Sequence, residues 1–355
     1  MRVTFVLPDW RRVPVGGYKV TYEYAARLVH GGHEVTVVHA PEAGGPARMR
    51  LRQAARRTAF GLPFFGGIRW FHLPPAVRSV CMIRGQTRRL PPGDALVATA
   101  WDTAAFVASA PADRGGKFYL IQHYEDWSGP QAAVDETWRL PMRKVVIARW
   151  LFQKGLDLGV PEADMRYIPN GIDMDEFRIV RPIEARDDRR VAMLYHEAAW
   201  KGVEDGLSAL EQARVLLPSL APTLFGTVRR PPQLPSWIAY RHAPVGAQLR
   251  ALYNDVAVFL HTSRSEGWGL PPAEAMACGA ALVAAANQGV RDYAVDGHNA
   301  LLAPIRNPAG LGRQLVRLLT DADLRHRIAV QGAADIGQYT WERAVSAFET
   351  VLAER

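Results

Sequence analysis

The sequence predicts an α/β protein made of two doubly wound halves. Three observations predict it. Short apolar runs, "VTFVL" at 3–7, "EVTVV" at 34–38 and "DALVATA" at 94–100, read as buried parallel strands. Segments with helical periodicity alternate with them, as parallel-sheet connections require. After a polar stretch near 184–190 the alternation starts again. At 355 residues, 48% of them hydrophobic, the chain can fill two cores.

The elements follow in order. "MRVTFVLP" is the first strand. "GGYKVTYEYAARLVHGG" follows as a helix, with Val20, Tyr24, Leu28 and the small Ala25 on one face. "HEVTVVHA" closes a strand-loop-helix-strand unit. "DALVATA" and "KFYLIQH" are further strands. "TWRLPMRKVVIARWLFQKGLDLGV" mixes strand and helix, and "MRYIPNGID" ends it in a turn. "EARDDRR" reads as a loop near a linker. Beyond it come the strand "VAMLYH", a helix over 202–216, the strand "APTLFG", a Pro-rich loop at 231–235, a helix over 246–254 and the strand "VAVFLHT". "ALVAAA" is a strand, 308–320 a helix, and "TWERAVSAFETVLAE" a last helix with apolar residues at 341, 345, 348, 351 and 352.

Composition excludes several classes. No apolar run reaches the roughly 18 residues of a membrane span. "MRVTFVLPDW" reads as a strand and not as a signal peptide. Two cysteines, Cys81 and Cys278, form no disulfide framework and no metal spacing, which points to a reducing, cytoplasmic setting. The net charge is +8, and the basic residues gather at 48–57, 78–89 and 143–149. A solvated basic surface and an anionic partner both account for that. The aromatic-basic signatures of nucleic-acid modules are missing, so no nucleic-acid partner is expected.

The chemistry concentrates in "RSEGWGLPPAEAMACG", residues 264–279. Pro271 and Pro272 suit a first helical turn. Gly279 suits the C-terminal cap. Gly267 and Gly269 let the backbone approach a ligand. A helix start attracts phosphate. Glu266 precedes the turn and Glu274 falls in the first turn or so, and carboxylates accept hydroxyl hydrogen bonds well. Such a stretch fits a ligand with a central diphosphate and vicinal hydroxyls at both ends, as in a nucleotide sugar. The competing reading is two surface acids beside a tight loop, with Glu274 favoured by the helix dipole.

Two Glu flanking seven residues, with Gly-Trp-Gly-Leu after the first, resemble the signature of the family 4 retaining glycosyltransferases, whose fold is GT-B. "PNGIDMDEF" resembles that family's domain junction. "AMACGAALVAA" and "GVRDYAVDGHNALL" resemble its following strand and loop, and "VGGYKVTYEYAARLVHGGHEVTVVHA" its N-terminal glycine-rich loop, helix and strand, so the resemblance spans the chain. It implies two Rossmann-like domains facing a central cleft: an acceptor-binding domain over 1–178, a nucleotide-sugar-binding domain over 179–338, and a C-terminal helix at 339–355 returning to the first domain. It also implies residue roles. Glu266 would hold the donor sugar and Glu274 the ribose hydroxyls. Lys201, in "YHEAAWKG", would contact the diphosphate and stabilise the charge of the leaving group. Backbone at Gly267, Trp268, Gly269 and Leu270 would add N–H donors, as would Gly16 and Gly17. His123, in "YLIQHYEDW", would touch the donor sugar. Glu266, Lys201 and His123 form the catalytic set.

Two positions depart from the family pattern. His196 stands where an Arg of the diphosphate clamp is usual, and a neutral imidazole supplies less charge. Ala148 stands where a Ser is common. "YLIQHYEDW" is similar to a stretch of bacterial cell-envelope rhamnosyltransferases, which points to a deoxysugar donor such as dTDP-rhamnose.

Other motifs fail. "DMD" at 173–175 lies in the junction and reads as turn and cap residues. No G-x-G-x-x-G follows the first strand, no Walker lysine is present, and no His/Cys/Asp cluster has metal spacing. The expectation is therefore a cytoplasmic, retaining, metal-independent glycosyltransferase without a cofactor. It would move a sugar from a nucleoside-diphosphate sugar to a glycan, lipid-linked or small-molecule acceptor. The alternatives are a non-catalytic sugar-nucleotide-binding partner subunit and a GT-B epimerase. Arg48, Arg50, Arg52, Arg56 and Arg57 suggest peripheral contact with the inner face of an anionic membrane, against a solvated loop over the acceptor.

Overall fold

The structure, a computed structural model, describes residues 1–41, 68, 70–82 and 84–354. The basic run from Arg48 to Arg57 lies outside the described residues. The chain divides into two compact units, Met1–Pro169 with Glu342–Arg355, and Asn170–Trp341.

The first unit begins with β1 (Arg2–Leu7), α1 (Gly16–His30) and β2 (Glu34–His39), followed by β3 (Arg78–Cys81) and β4 (Ala95–Ala98). Then come α2 (Trp101–Ala108), β5 (Gly116–Ile121), α3 (Gln131–Trp138), β6 (Arg143–Val146), α4 (Arg149–Asp157) and β7 (Met165–Tyr167). All seven strands are parallel, in the order β3-β2-β1-β4-β5-β6-β7. Strand order reverses between β1 and β4, the place where open parallel sheets bind ligands.

The second unit has β8 (Arg190–Leu194), α5 (Val203–Leu216), β9 (Ala221–Gly226), β10 (Ala239–His242), α6 (Ala247–Asp255) and β11 (Val258–His261). It continues with α7 (Leu270–Ala277), β12 (Ala281–Ala285), β13 (Leu301–Ala303), α8 (Pro308–Thr320) and α9 (Ala322–Ile336). Its strand order is β10-β9-β8-β11-β12-β13, again all parallel, with the switch between β8 and β11. Central β11 and β12 are buried along their whole length, so they carry no polar alternation.

The last helix, α10 (Trp341–Ala353), belongs to the first unit from Glu342 on. Phe348 lies 6.0 Å from Phe5 and 4.6 Å from Tyr24, ring centre to ring centre. Burying such a ring stabilises by about 1.5–3 kcal/mol. His33 bonds Glu349 at 2.8 Å, and Arg143 and Arg166 both pair with Glu354. The return of the C-terminal helix is thus observed.

The boundaries fall at 169/170 and 341/342, not at 178/179 and 338/339. Local contacts explain the shift. Ile172 pairs with Thr340, and its N–H donates to Tyr339 at 2.8 Å. Phe177 packs on Tyr253 at 6.0 Å, and Asn254 accepts the Val180 N–H at 2.8 Å. Residues 170–178 and 339–341 are therefore built into the second unit.

Some of the described basic residues are structural, while others, such as Arg78, Arg88, Arg89 and Arg149, are exposed. Lys144 is buried within β6, and its ammonium donates to Leu140 O at 2.7 Å. Arg84 ties Ala40, Pro8 and Asp102 together. In "EARDDRR", Arg186 is buried and donates to the carbonyls of Tyr253, Val256 and Cys278. "DMD" is a turn: Asp173 accepts the N–H groups of Asp175 and Glu176.

Candidate active site

Because β8 and β11 are neighbours, the loops leaving their C-terminal ends meet. Lys201 comes from the first loop and Glu266 from the second. A short 3-10 turn, Ala199–Lys201, ends in Gly202 at φ +61. A Cβ at 202 would stand 2.2 Å from Thr262 O, so only glycine lets the two loops touch there. The loops are then bonded together. Thr262 Oγ1 donates to Lys201 O at 2.9 Å, the Arg264 N–H donates to Trp200 O at 2.6 Å, and Arg264 forks onto Asp205 at 3.0 and 3.1 Å.

Lys201 Nζ meets Glu266 Oε1 at 2.7 Å, and Glu266 is 8% exposed. Burial pushes the Glu266 carboxyl up, but Lys201, His261 and the Ser263 hydroxyl outweigh it and hold it at about 2. The pair is ionic, hydrogen-bonded and set among polar groups of the loop. An anion arriving at Lys201 would meet a charge that is already positioned.

His261 and Asn287, which sequence reading passed over, lie behind this pair. His261 ends β11 and is buried; burial lowers its pKa to about 4, so the ring is neutral. Asn287 is also buried, and its amide Nδ2 donates to His261 Nε2 at 3.1 Å and Ser263 O at 2.8 Å. Asn287 Oδ1 accepts the Val290 N–H at 3.0 Å. This one amide ties the loop after β11 to the loop after β12. A polar residue ending the apolar run "VAVFLH" was the available signal.

α7 is preceded by its N-cap Gly269, φ +96, and carries Pro271 and Pro272 in its first turn as expected. The prolines have no N–H, so the helix start offers fewer donors to an anion than the general rule suggests. Gly279 closes the helix at φ +80: its N–H donates to Met276 O and the Ala280 N–H to Ala275 O. Glu274 is the fifth residue of α7, past the first turn, so the dipole reading does not apply to it. It is 4% exposed, and the buried Tyr253 hydroxyl donates to its Oε2 at 3.3 Å. Neither glutamate is a surface acid.

Trp268 turns its ring inward, 4.8 Å from Tyr293 and 5.3 Å from Tyr339, leaving only its backbone for a ligand. Tyr293 donates to Gly269 O at 2.7 Å and steadies the same turn. Gly267 and Leu270 bracket these residues in the one loop and helix start. His196 is exposed, two residues beyond β8. Its Nδ1 accepts the Ala198 N–H at 3.0 Å. Arg264 is no substitute for a second cation, being committed to Asp205.

Gly16, Gly17 and His123 lie in the first unit. Gly16 and Gly17 open α1, which no side chain caps and which has no acid in its first turn. Gln122 donates to Gly17 O at 3.0 Å, bringing the end of β5 to the start of α1. Next to it, His123 Nδ1 donates to Tyr124 O at 3.1 Å, and its ring stands edge-on to Trp127 at 4.4 Å and Trp150 at 5.3 Å. Ala148 is the N-cap of α4 and supplies no side-chain bond there. Among the described residues no group of three His, Cys, Asp or Glu side chains converges to hold a metal ion.

Two parallel, doubly wound sheets with these connections define the GT-B fold. Residues 241–335 match the model of the family described as glycosyl transferases group 1. A D-inositol 3-phosphate glycosyltransferase of Streptomyces bingchenggensis is 33% identical over 117 residues, 33% of this chain and 26% of that protein. An uncharacterized glycosyltransferase of Methanocaldococcus jannaschii is 30% identical over 112 residues, 30% of this chain and 32% of that protein. The matched stretch is thus a third or less of either relative's length. Among solved structures, Anabaena HepE in complex with UDP aligns with a TM-score of 0.76 at 15% identity, covering 100% of both chains. Sucrose-phosphate synthase of Thermosynechococcus elongatus aligns with a TM-score of 0.74 at 15% identity, covering 99% of this chain and 98% of that one. At such identity these likenesses establish the fold.

Proposed function

We propose that the protein is a glycosyltransferase that moves a sugar from a nucleoside-diphosphate sugar to a hydroxyl acceptor. The observation that carries this reading is the Lys201–Glu266 pair at the strand switch of the second unit, with Glu274 buried one helix turn beyond. Lys201 would take the diphosphate and exchange Glu266 for it. Glu266 would then accept a donor-sugar hydroxyl, and Glu274 the ribose hydroxyls. As the sugar leaves, charge grows on the diphosphate, where a fixed ammonium stabilises it most. His123, Gly16 and Gly17 would serve the sugar and the phosphates or acceptor from the first unit.

Retention of configuration, with the leaving oxygen helping to remove the acceptor proton, is part of the proposal. So is a reaction without metal, because Lys201 supplies the charge. A deoxysugar such as rhamnose is the favoured donor sugar, and the acceptor is a glycan, a lipid-linked saccharide or a small molecule. No helix of the described residues is long and apolar enough to cross a membrane. A cytoplasmic location, peripheral on the membrane when the acceptor is lipid-linked, goes with this reading. The test is a thermal-shift panel of nucleotide sugars, followed by donor hydrolysis without acceptor. A stabilising donor that is slowly hydrolysed supports an enzyme. Stabilisation with no hydrolysis and no transfer supports a binding subunit.

A further inference from the structure

We propose that His196 serves the diphosphate as a neutral hydrogen-bond donor through Nε2–H, its tautomer locked by the Ala198 N–H. The inference rests on the nucleotide-sugar reading of this site and names the electrostatics of one contact in it.

β8 ends at Leu194, and the chain turns through residues 195–201 to present Lys201. Within that turn the Ala198 N–H donates to His196 Nδ1 at 3.0 Å. A nitrogen that accepts a hydrogen bond cannot carry a proton, so the ring's proton sits on Nε2. Adding a second proton would place N–H against N–H at Ala198 and lose that bond. The charged groups facing the ring are Lys201 and Glu197 from its own loop and Glu266 from the loop after β11. Although the side chain reaches solvent, partial desolvation of the ring disfavours a proton most; Lys201 also repels one, whereas Glu266 and Glu197 attract one. The balance holds His196 below its ordinary range.

A ligand on Lys201 would therefore meet one full positive charge and one neutral N–H donor. That pairing gives direction at His196 and charge at Lys201. It also makes binding insensitive to pH near neutrality, where an unlocked histidine would titrate. Ala198 has φ −69, a value proline adopts without strain, and its carbonyl still accepts the Lys201 N–H at 2.9 Å. Ala198→Pro thus deletes the locking N–H, and its ring carbon, standing where that hydrogen was, swings the imidazole free of the turn.

The experiment is calorimetry with UDP-glucose, GDP-mannose, ADP-glucose and dTDP-rhamnose, whose diphosphates have no proton to exchange near neutrality. It is run at about pH 6 and about pH 8 in buffers of different ionisation enthalpy. For the donor that binds, wild type is expected to show equal affinity at both pH values within about twofold and no proton uptake. His196→Gln, which keeps a neutral N–H donor, should bind within about threefold of wild type, and His196→Ala roughly tenfold more weakly. Ala198→Pro should take up a proton and bind more tightly at the lower pH. Proton uptake by wild type that vanishes in His196→Gln overturns the proposal, as does wild-type affinity in His196→Ala. If a folded wild type binds none of the four, the nucleotide-sugar reading itself falls, and the proposal with it.

Discussion

Gly289 packs directly on the backbone of Glu266. A Cβ at 289 would stand 2.7 Å from the Glu266 carbonyl oxygen and 3.0 Å from its carbonyl carbon and Cβ. Gly289 has φ −70 and ψ −43, so the glycine is required by space and not by its own backbone angles. The loop after β12 thereby sets how far Glu266 can retreat from Lys201.

Gly289→Ala should fold, because alanine accepts those angles, yet it must push Glu266. Turnover is expected to fall by about tenfold or more, since small displacements of a positioned group are costly. Affinity for free nucleotide diphosphate should change much less. Steady-state kinetics beside calorimetry checks this. Unchanged turnover in a folded variant would show that Glu266 tolerates displacement and does not position the sugar.

Lys201→Met removes the charge that holds Glu266 down and leaves a buried, unpaired carboxylate. Turnover should drop by about 10²-fold or more. Stability should respond to pH in a defined way. Glu266 is depressed from 4.5 to about 2, so its contribution is present above about pH 4.5 and is lost as pH falls through about 2. Without Lys201 burial raises the Glu266 carboxyl, so the variant's deficit against wild type should shrink as pH falls, beginning above about pH 4.5 and continuing until wild-type Glu266 protonates near 2. Melting curves of both proteins over this range decide it; a deficit that stays constant or grows on acidification would contradict the ion-pair account.

How much of this was legible follows from the residues. Runs such as "ALVAA" and "VAVFLH" show their strands because both faces are buried and the apolar pattern is nearly unbroken. β3 and β10 did not show, because Arg78, Arg241 and His242 make those edge strands look like surface loops. The helix at 322–336 does not show because its buried stripe is narrow, Leu324, Ile328 and Ile336 with the small Ala329 and Gly332, among charged and polar neighbours. In the site, Lys201, Glu266 and Glu274 were legible from spacing and resemblance. The His261–Asn287 contact was not, since 26 residues separate the pair and only the register of β11 with β12 brings them together. The unit boundary was misplaced because Phe177 and Val180 look like linker until their partners Tyr253 and Asn254 are known.

The two glutamates should separate in their effects. Glu274 bonds Tyr253 inside the second unit and is assigned the ribose, so Glu274→Ala should weaken binding of free UDP, GDP or dTDP, whichever binds, by roughly tenfold. Glu266→Ala should leave that binding within a few-fold and lower turnover instead, because its partner is the sugar. It also frees Lys201 for phosphate, which pushes nucleotide affinity up if anything. Calorimetry on both variants is the measurement. Equal losses of nucleotide affinity would mean that the two roles are wrongly divided.

His261 makes the last prediction, through acid sensitivity. Its ring is buried and neutral, with its pKa lowered from 6.5 to about 4 by burial. A histidine depressed in this way stabilises the fold fully above about pH 6.5, and that contribution is lost as pH falls through about 4, because the unfolded chain takes the proton first. His39 in the first unit is lowered to about 4 as well, so each unit carries one such group. His261→Gln keeps an acceptor for the Asn287 amide and removes the titration. At neutral pH the variant should melt a few degrees lower, about the cost of an imperfect buried polar contact. Between about pH 6.5 and pH 4 its melting temperature should fall less than that of wild type, so the two curves converge. Turnover should fall with little change in nucleotide affinity, since His261 and Asn287 hold the loop that carries Glu266. Parallel melting curves across that interval would mean that His261 already shares its proton in the folded state, and the buried neutral imidazole would have to be abandoned.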